Sequence, residues 1–251
     1  MLFVLQGTFF TSKMWLLWRL APWSNAAFQV CIHPISFGAS TIVASEFCQV
    51  VSGTCDLDED FMHEVKISQD LDHKNLVKFV KWFSIEKRHV IIIPFFPRSV
   101  ADMMNRKSLV RQAAPLAAIQ VIARYCFDAL RHLHSKKLCY ADLKPANIML
   151  QNVEDGHATL VDYGATVPIG SPIREFTDAF CMDVDTAVGS EKLDWVCLGT
   201  TLAQLAGVIT DIFHSVVELV DQVHRTIQDE KLKQLIVACL QNPSQTAIEL
   251  C

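Results

Sequence analysis

The stretch Leu138–Leu150, L-C-Y-A-D-L-K-P-A-N-I-M-L, constrains the fold more than any other part of the chain. It is apolar at both ends and polar in the middle, where Asp142, Lys144 and Asn147 surround a turn set by Pro145. This pattern predicts a loop that follows a buried strand. Functional side chains are frequent on loops that a rigid scaffold positions, so the three polar residues are candidates for a site.

A second polar turn follows in the stretch Leu160–Gly164, L-V-D-Y-G, where a short apolar strand ends at Asp162. Asp142 is suited to accept a hydroxyl proton, and Lys144 is suited to balance the charge of a γ-phosphate. Asn147 and Asp162 offer the hard oxygen atoms that Mg²⁺ prefers. Phosphoryl transfer fits this set, because that reaction needs mainly positioning and neutralised charge.

The stretch D-L-K-P-A-N at Asp142–Asn147 resembles the catalytic loop of protein kinases, and D-Y-G at Asp162–Gly164 resembles their metal-binding D-F-G. The resemblance covers about residues 35–250. It implies an α+β, two-lobed fold with a small β-rich N-lobe containing one main helix and a larger, mostly helical C-lobe. We expect an uncertain N-terminal segment at 1–30, the N-lobe at 31–96 and a shortened C-lobe at 97–251.

The family's glycine-rich loop has a degenerate counterpart at Ser36–Val43, S-F-G-A-S-T-I-V. Gly38 and Val43 are in register with the second glycine and the valine of that motif. Side chains at Ser36 and Thr41 would hinder a close approach of the backbone to phosphate. An ordinary hairpin explains the stretch almost as well as a nucleotide-binding loop.

The resemblance implies that one cation of the N-lobe is missing. The predicted strand Phe47–Ser52 carries Ser52 where the family has the lysine that holds the α- and β-phosphates, and no lysine or arginine lies between Arg19 and Lys66. Glu64 resembles the helix glutamate that pairs with that lysine. Lys66 is no substitute, because two residues correspond to about 200° around a helix. Glu64 is therefore unpaired, bound to another group, or a solvated surface residue.

The stretch Pro94–Pro97, P-F-F-P, matches the position of the hinge between the two lobes. The resemblance implies that backbone groups of Phe95 and Phe96 hydrogen-bond the adenine of ATP. Pro94 lacks an N–H, so one donor is absent there. A strand that leaves a sheet at a proline-edged turn is also fully compatible with this stretch.

The C-lobe shows both matches and departures. Asp194–Gly199, D-W-V-C-L-G, matches the family's D-x-W-S-L-G helix start, and we expect Asp194 to cap the backbone of the catalytic loop. Ala141 replaces the arginine of H-R-D and cannot bind an activation-loop phosphate, whereas Tyr140 can fill the slot of the histidine. The usual A-P-E ending is not found in residues 165–191, so substrate docking cannot be predicted.

Periodicity and capping signals predict further elements. Phe61, Val65 and either Ser68 or Leu71 are expected to form the inner face of a helix that begins near Asp58. The other predicted elements are strands Val77–Phe83 and His89–Ile93 and helices Ser99–Met104, Leu116–Ser135, Asp211–Gln228 and Lys231–Gln241, with a last helix starting at Pro243.

Composition limits the location and the partners. The net charge of −5 gives no reason to expect nucleic-acid binding, and nine scattered cysteines without C-x-x-C spacing indicate buried thiols in a reducing compartment. No apolar run reaches the roughly 18–20 residues of a membrane span. We expect a cytoplasmic protein whose residues 1–30 are either a strand-forming edge of the small lobe or a poorly determined chain start, with membrane association through residues 1–20 as the weaker alternative.

The resemblance favours a serine/threonine protein kinase that uses ATP and Mg²⁺ and acts on a protein substrate, because Lys144 and Pro145 follow the serine/threonine pattern. Loss of one charge-assisted phosphate contact costs about 1.5–3 kcal/mol, or roughly 10- to 150-fold in rate. Reduced activity is therefore expected. The alternative is a pseudokinase that binds a scaffold partner. A small-molecule phosphotransferase is less favoured, because that class has histidine where Lys144 stands.

Overall fold

The fold is described from a computed structural model, which describes residues 2–9, 12–19, 28–30, 48–52, 59–85, 88–94, 96–105, 114–150, 157–173, 176–181, 187–208, 210 and 215–241. The chain divides into two compact units. The smaller unit consists of Met1–Leu71 and Val77–Phe96, and the larger consists of Asp72–Leu76 and Pro97–Cys251.

The smaller unit contains two antiparallel sheets and one described helix. Strands β1 and β2 pair with each other, and strands β3 to β6 form a four-stranded sheet in the order β3-β4-β6-β5. Of the described strands within residues 1–30, β3 lies at the edge of the four-stranded sheet, whereas β1 and β2 form a separate sheet. The elements are β1 (Leu2–Phe9), β2 (Ser12–Arg19), β3 (Phe28–Val30), β4 (Cys48–Ser52), α1 (Glu59–Asp70), β5 (Lys81–Ile85) and β6 (Arg88–Pro94).

Helix α1 buries the face that its sequence predicts. Phe61, Val65, Ser68 and Leu71 are all buried, and Phe61 meets the ring of Trp82 edge-on at a centroid distance of 5.8 Å. The Ser68 hydroxyl donates to the Glu64 backbone carbonyl at 2.7 Å, so this polar side chain is satisfied inside the apolar face. The three- and four-residue spacing thus gave the correct helix face.

One predicted strand begins in the wrong place. Val77–Phe83 was expected to be extended throughout, but β5 starts only at Lys81, opposite Ile92. The residues just before it pass from the larger unit to the smaller, because Leu76 forms a bridge with Leu160 in the larger unit. Residues 77–80 therefore serve as a connection, and their apolar character does not reflect a sheet ladder.

The larger unit is mostly helical, with two small sheets in the orders β10-β9-β7 and β11-β8. Together with the sheet-rich smaller unit it confirms the predicted α+β class. Its elements are β7 (Arg98–Ser99), α2 (Val100–Asn105), α3 (Leu116–Ser135), β8 (Leu138–Cys139), β9 (Ile148–Leu150), β10 (Ala158–Leu160), β11 (Val167–Pro168), α4 (Glu191–Leu205), α5 (Val216–Thr226) and α6 (Glu230–Gln241).

The predicted helix Leu116–Ser135 is confirmed at both ends, and the other helices differ at their boundaries. Ser99 precedes α2 as its cap, because its hydroxyl accepts the Asp102 N–H at 3.0 Å. Ser215 caps α5 by accepting the Glu218 N–H at 3.2 Å, so that helix begins after the predicted Asp211. Residues 211–214 and the helix predicted from Pro243 lie outside the described residues.

No helix in the part of the chain that the structure describes has the length and apolar character needed to cross a membrane.

Helix α4 lies at the centre of the larger unit, and its Gly199 contacts α6. A Cβ at this glycine would lie 2.8 Å from Leu240 Cγ and 3.1 Å from Cys239 Cβ. We expect Gly199→Ala to lower the free energy of unfolding, because overpacking costs about 1–3 kcal/mol. Chemical denaturation in the wild-type and Leu240→Ala backgrounds tests this. The loss of stability caused by Gly199→Ala should be smaller in the Leu240→Ala background than in the wild type. An equal loss in both backgrounds would contradict the contact between Gly199 and Leu240.

Two histidines pack the turn at residues 72–76 against α3. His73 and His132 stack with ring centroids 4.8 Å apart. Burial lowers the pKa of both from the ordinary value of 6.5; His132 further lowers that of His73, and Lys136 further lowers that of His132. Lys74, Asp72 and Asp128 are the other charges acting on the pair. His132 Nε2 is buried without a hydrogen-bond partner among the described residues, which also disfavours a second N–H.

These lowered pKa values predict a loss of stability on acidification. In the unfolded chain these histidines should bind protons near the ordinary pKa of 6.5, whereas in the folded chain they bind protons only at lower pH. Acidification through pH 6.5 therefore adds protons to the unfolded state first, and the free energy of unfolding falls. We expect the free energy of unfolding to drop between pH 7.5 and 5.5, and His132→Gln to reduce that drop. His224→Gln, on the exposed face of α5, is the control. An undiminished drop in His132→Gln would contradict the prediction.

Candidate functional site

The site loop runs between β8 and β9 and is held by buried residues on both sides. Cys139, Leu143, Ile148 and Leu150 have between 0% and 3% of their surface exposed. Pro145 begins a single 3-10 turn, Pro145–Asn147, where its missing N–H costs nothing. The apolar ends of the stretch thus anchor the loop. Asp142 and Lys144 keep 14% and 27% of their side chains exposed, whereas Asn147 is buried.

A connected hydrogen-bond network surrounds the Asp142 carboxylate. Lys144 Nζ lies 2.6 Å from Asp142 Oδ2, and the Asn147 amide donates to the same oxygen at 2.9 Å. The Thr177 hydroxyl donates to Asp142 Oδ1 at 2.7 Å and accepts from Lys144 Nζ at 3.1 Å. Each carboxylate oxygen is therefore engaged, and Asp142 and Lys144 are held in one orientation.

Asn147 also fixes the loop backbone. Its amide donates to the Asp142 carbonyl at 3.0 Å, and its own carbonyl accepts the Val161 N–H at 3.1 Å. The second contact connects the site loop to the residue before Asp162. An amide nitrogen only donates, so the side-chain oxygen Oδ1 is the Asn147 atom suited to a cation.

Asp162 follows β10 and takes a left-handed backbone conformation with φ of +65°. Its Oδ1 accepts the Gly164 N–H at 3.2 Å. The residue is solvent-accessible, yet partial dehydration of the carboxylate raises its pKa; the Asp142 charge adds to the rise, and Gly164 and Lys144 oppose it. Asp162 therefore lies within electrostatic range of both Asp142 and Lys144.

Asp194, near the start of α4, holds the backbone that enters the site loop. Its side chain is fully buried, and its two oxygens accept the Tyr140 N–H at 2.9 Å and the Ala141 N–H at 2.8 Å. The predicted capping of the loop backbone is confirmed. Ala141 has φ of +67°, a strained value for a residue with a Cβ. The two hydrogen bonds from Asp194 stabilise that conformation immediately before Asp142.

His134 shares the Asp194 carboxylate. Its Nε2 lies 2.8 Å from Asp194 Oδ2, and because a carboxylate only accepts, this nitrogen carries the proton. His134 Nδ1 is 3.9 Å from the exposed Glu191 carboxylate. Trp195 packs edge-on against the His134 ring at 5.2 Å and close to Phe127 at 4.6 Å. The cap is thus fixed by apolar packing between α3 and α4.

Tyr140 joins the two polar turns. It is fully buried, its hydroxyl donates to the Val161 carbonyl, and its ring meets Tyr163 edge-on at 6.4 Å. Burial, with the nearby Asp162 and Asp142 charges, raises the Tyr140 pKa well above its usual 10, so the hydroxyl keeps its proton. Tyr140 fills the apolar slot expected from the sequence and adds a hydrogen bond beside Asp162.

The structure brings together Asp142, Lys144, Asn147 and Asp162 within the larger unit. The remaining predicted site residues belong to the smaller unit. Glu64 is partly buried on α1, and Phe96 is buried. Gly38, Val43 and Phe95 lie outside the described residues.

Thr177 is the site residue that sequence reasoning missed. It lies 35 residues from Asp142 in the chain and directly precedes the 3-10 turn Asp178–Phe180. A threonine before an aspartate is a common start for a helical turn, so that local signal was present. Only the fold reveals that its hydroxyl faces Asp142 and Lys144.

A cation fits the donor set of this site. Within the residues that the structure describes, no three His, Cys, Asp or Glu side chains are arranged to hold a metal ion by themselves. Mg²⁺ is commonly bound through one or two carboxylates together with phosphate oxygens. The Asp162 carboxylate, whose pKa is raised by dehydration and by Asp142, and Asn147 Oδ1 are the atoms suited to it.

Comparison with known proteins gives consistent matches. The sequence model described as protein kinase domain matches residues 30–246. Serine/threonine-protein kinase 10 of Danio rerio is 29% identical over 160 residues, covering 59% of this chain and 16% of that protein. Serine/threonine-protein kinase RUNKEL of Arabidopsis thaliana is 32% identical over 105 residues, covering 41% of this chain and 7% of that protein. Protein kinase gsk31 of Schizosaccharomyces pombe is 29% identical over 108 residues, covering 41% of this chain and 28% of that protein. The chain therefore matches well under two thirds of the length of each relative.

Proposed function

The chain belongs to the protein kinase family, and on that premise we propose that it transfers the γ-phosphoryl group of ATP to a serine or threonine hydroxyl of a protein, at a reduced rate. The observation that carries the proposal is the network in which Lys144, Asn147 and Thr177 hold both oxygens of Asp142. A carboxylate held in this way is positioned to accept a proton from an attacking hydroxyl.

Each of the four predicted site residues in the larger unit has a proposed role. Asp142 accepts the proton of the substrate hydroxyl as its oxygen bonds to the γ-phosphorus; the bond from that phosphorus to the β–γ bridging oxygen breaks, and ADP leaves. Lys144, whose Nζ lies between Asp142 and Thr177, balances the negative charge of the transferred phosphoryl group. Asn147 Oδ1 and the Asp162 carboxylate would hold Mg²⁺, which would supply neutralisation of the phosphate charge.

Residues of the smaller unit are proposed to contact the nucleotide. By resemblance, Gly38 and Val43 belong to the loop that covers the phosphates, and the backbone of Phe95 and Phe96 reaches the adenine. Glu64 is assigned by the same resemblance to the helix position that pairs with a lysine in other kinases. These roles rest on sequence register alone.

A pseudokinase with a scaffold role is the second candidate, and a specific observation favours it. No lysine or arginine occurs between Arg19 and Lys66, so the N-lobe cation that holds the α- and β-phosphates has no replacement there. A small-molecule phosphotransferase is the less favoured third candidate, because Lys144 contacts Asp142 where that class has histidine.

Transfer of γ-labelled phosphate to a mixture of purified proteins separates these candidates. The proposal predicts slow, Mg²⁺-dependent labelling that is found on serine or threonine after acid hydrolysis. Binding of Mg-ATP without labelling of any protein would favour the scaffold role. Labelling of small alcohols or amines, with none on protein, would favour the third candidate.

Restoring the missing cation should raise the rate. Ser52, the last residue of β4, occupies the lysine position by sequence register. We expect Ser52→Lys to increase phosphate transfer by roughly 10- to 150-fold, the value of one charge-assisted phosphate contact. Gln49→Lys adds the same charge elsewhere on β4 and is the matched control. An equal increase in both variants, or no increase in Ser52→Lys, would contradict the assignment of Ser52 to the lysine position of the family.

A further inference from the structure

Two thiols from different elements lie in contact within the larger unit. Cys181 directly follows the 3-10 turn Asp178–Phe180, and Cys197 lies in the middle of α4. Their sulfur atoms are 3.7 Å apart, and the two residues are 7% and 0% exposed respectively. A disulfide needs an S–S distance of about 2.05 Å, so closure requires a relative shift of less than about 2 Å.

Another of the described buried thiols is already engaged. Cys139 Sγ lies 3.3 Å from the Ser190 carbonyl and 3.5 Å from the Asp194 carboxylate. Burial and the Asp194 charge raise the pKa of Cys139 strongly, which keeps it protonated. Cys181 and Cys197, by contrast, contact each other through their sulfur atoms.

The position of the pair matters because Cys181 belongs to residues 177–181, which also contain a residue of the site. Thr177, four residues earlier, supplies the hydroxyl that contacts both Asp142 and Lys144. Helix α4, which carries Cys197, also carries Asp194, the cap of the backbone before Asp142. A covalent link between the two sulfurs would join the segment that contacts the site from one side to the helix that supports it from the other.

We propose that Cys181 and Cys197 form a reversible disulfide that anchors residues 177–181 to α4 under peroxide stress. The more exposed Cys181 sulfur attacks one oxygen of hydrogen peroxide, which gives a sulfenic acid and water. The Cys197 sulfur then attacks the Cys181 sulfur, and the hydroxyl group leaves as the second water. Two thiols and one peroxide thus yield one disulfide and two waters, and a dithiol reductant reverses the reaction.

The environment of the pair makes this oxidation slow and pH-dependent. The hydrogen bond with Cys181 and burial raise the Cys197 pKa, and the charge of Asp194 adds to the rise. Because the thiolate is the reactive form, the disulfide should form faster as pH increases. The inference concerns thiol chemistry and a structural link, so it does not rest on the proposed phosphoryl transfer.

The test uses the full chain treated with hydrogen peroxide, followed by alkylation of the remaining thiols in denaturant and non-reducing peptide mapping. We expect one linked peptide pair containing Cys181 and Cys197 that disappears on treatment with dithiothreitol. The link closes a loop across a separation of 16 residues, so the midpoint of thermal unfolding should rise by about 5–10 °C in the oxidised protein.

Variants make the assignment specific. Cys181→Ser and Cys197→Ser should each lose the linked peptide and the rise in the midpoint, whereas Cys126→Ser, a buried thiol of α3, should retain both. Full alkylation of Cys197 after peroxide treatment, or a link from either cysteine to another partner, would overturn the inference. A correct link without a rise in the midpoint would also overturn it, because the bond would then not fit the folded geometry.

Discussion

Asp142→Asn is expected to reduce phosphate transfer by about 10²- to 10⁴-fold, the usual contribution of a positioned general base. The substitution keeps the size of the side chain but removes its ability to accept a proton. The amide also presents donors where Asp142 now accepts from Lys144 and Thr177 at 2.6 and 2.7 Å. The substitution does not remove the oxygen atoms of Asn147 and Asp162 that are proposed to bind Mg²⁺, so nucleotide binding should change little.

The measurement compares initial rates of γ-phosphate transfer with the affinity for a non-hydrolysable ATP analogue. Asp178→Asn, an exposed carboxylate in the segment that carries Thr177, is the matched control and should transfer at the wild-type rate. If Asp142→Asn retains full transfer, Asp142 is not the proton acceptor. If it loses nucleotide binding to the same extent as transfer, its role is in binding.

Asp194→Ala is expected to lower the free energy of unfolding by about 3–5 kcal/mol, because the substitution leaves buried donors without an acceptor. Those donors are the Tyr140 and Ala141 N–H groups and the His134 ring, all within 2.9 Å of the carboxylate. Ala141, whose φ is +67°, would be free to relax and would displace the adjacent Asp142. Transfer should therefore fall together with stability.

Thermal unfolding followed by circular dichroism measures this effect, which should be a decrease in the midpoint of about 10 °C or more. Glu191→Gln is the matched control, since this carboxylate approaches the same histidine at 3.9 Å but is 52% exposed. Exposed pairs contribute at most about 1 kcal/mol. Equal losses in the two variants would mean that the buried cap does not support the loop.

Local sequence patterns predicted the parts of the molecule whose causes are local. The helix Leu116–Ser135 follows from its apolar period, and the buried face of α1 follows from the spacing of Phe61, Val65 and Ser68. The role of Asp194 in capping the loop was predicted because its motif resembles that of a known family. In each case the residues that determine the structure are close together in the chain or occur within one recognisable motif.

The features that sequence reasoning missed depend on contacts between distant parts of the chain. The contact of Thr177 with Asp142 spans 35 residues, and the Cys181–Cys197 contact arises where a segment meets α4. Residues 77–80 have strand-like composition, but they connect the two units and the ladder begins at Lys81. Neither periodicity nor capping signals carry information about such tertiary contacts.

The central claim is that Asp162 and Asn147 hold Mg²⁺ for a bound nucleotide beside Asp142, and thermal shift with a non-hydrolysable ATP analogue tests it most directly. The wild-type chain should show a higher midpoint of unfolding with the analogue and Mg²⁺ together than with either alone, and Asp162→Asn should lose this Mg²⁺-dependent increment. Absence of any nucleotide-dependent shift in the wild-type chain, or an unchanged increment in Asp162→Asn, would contradict the proposed site.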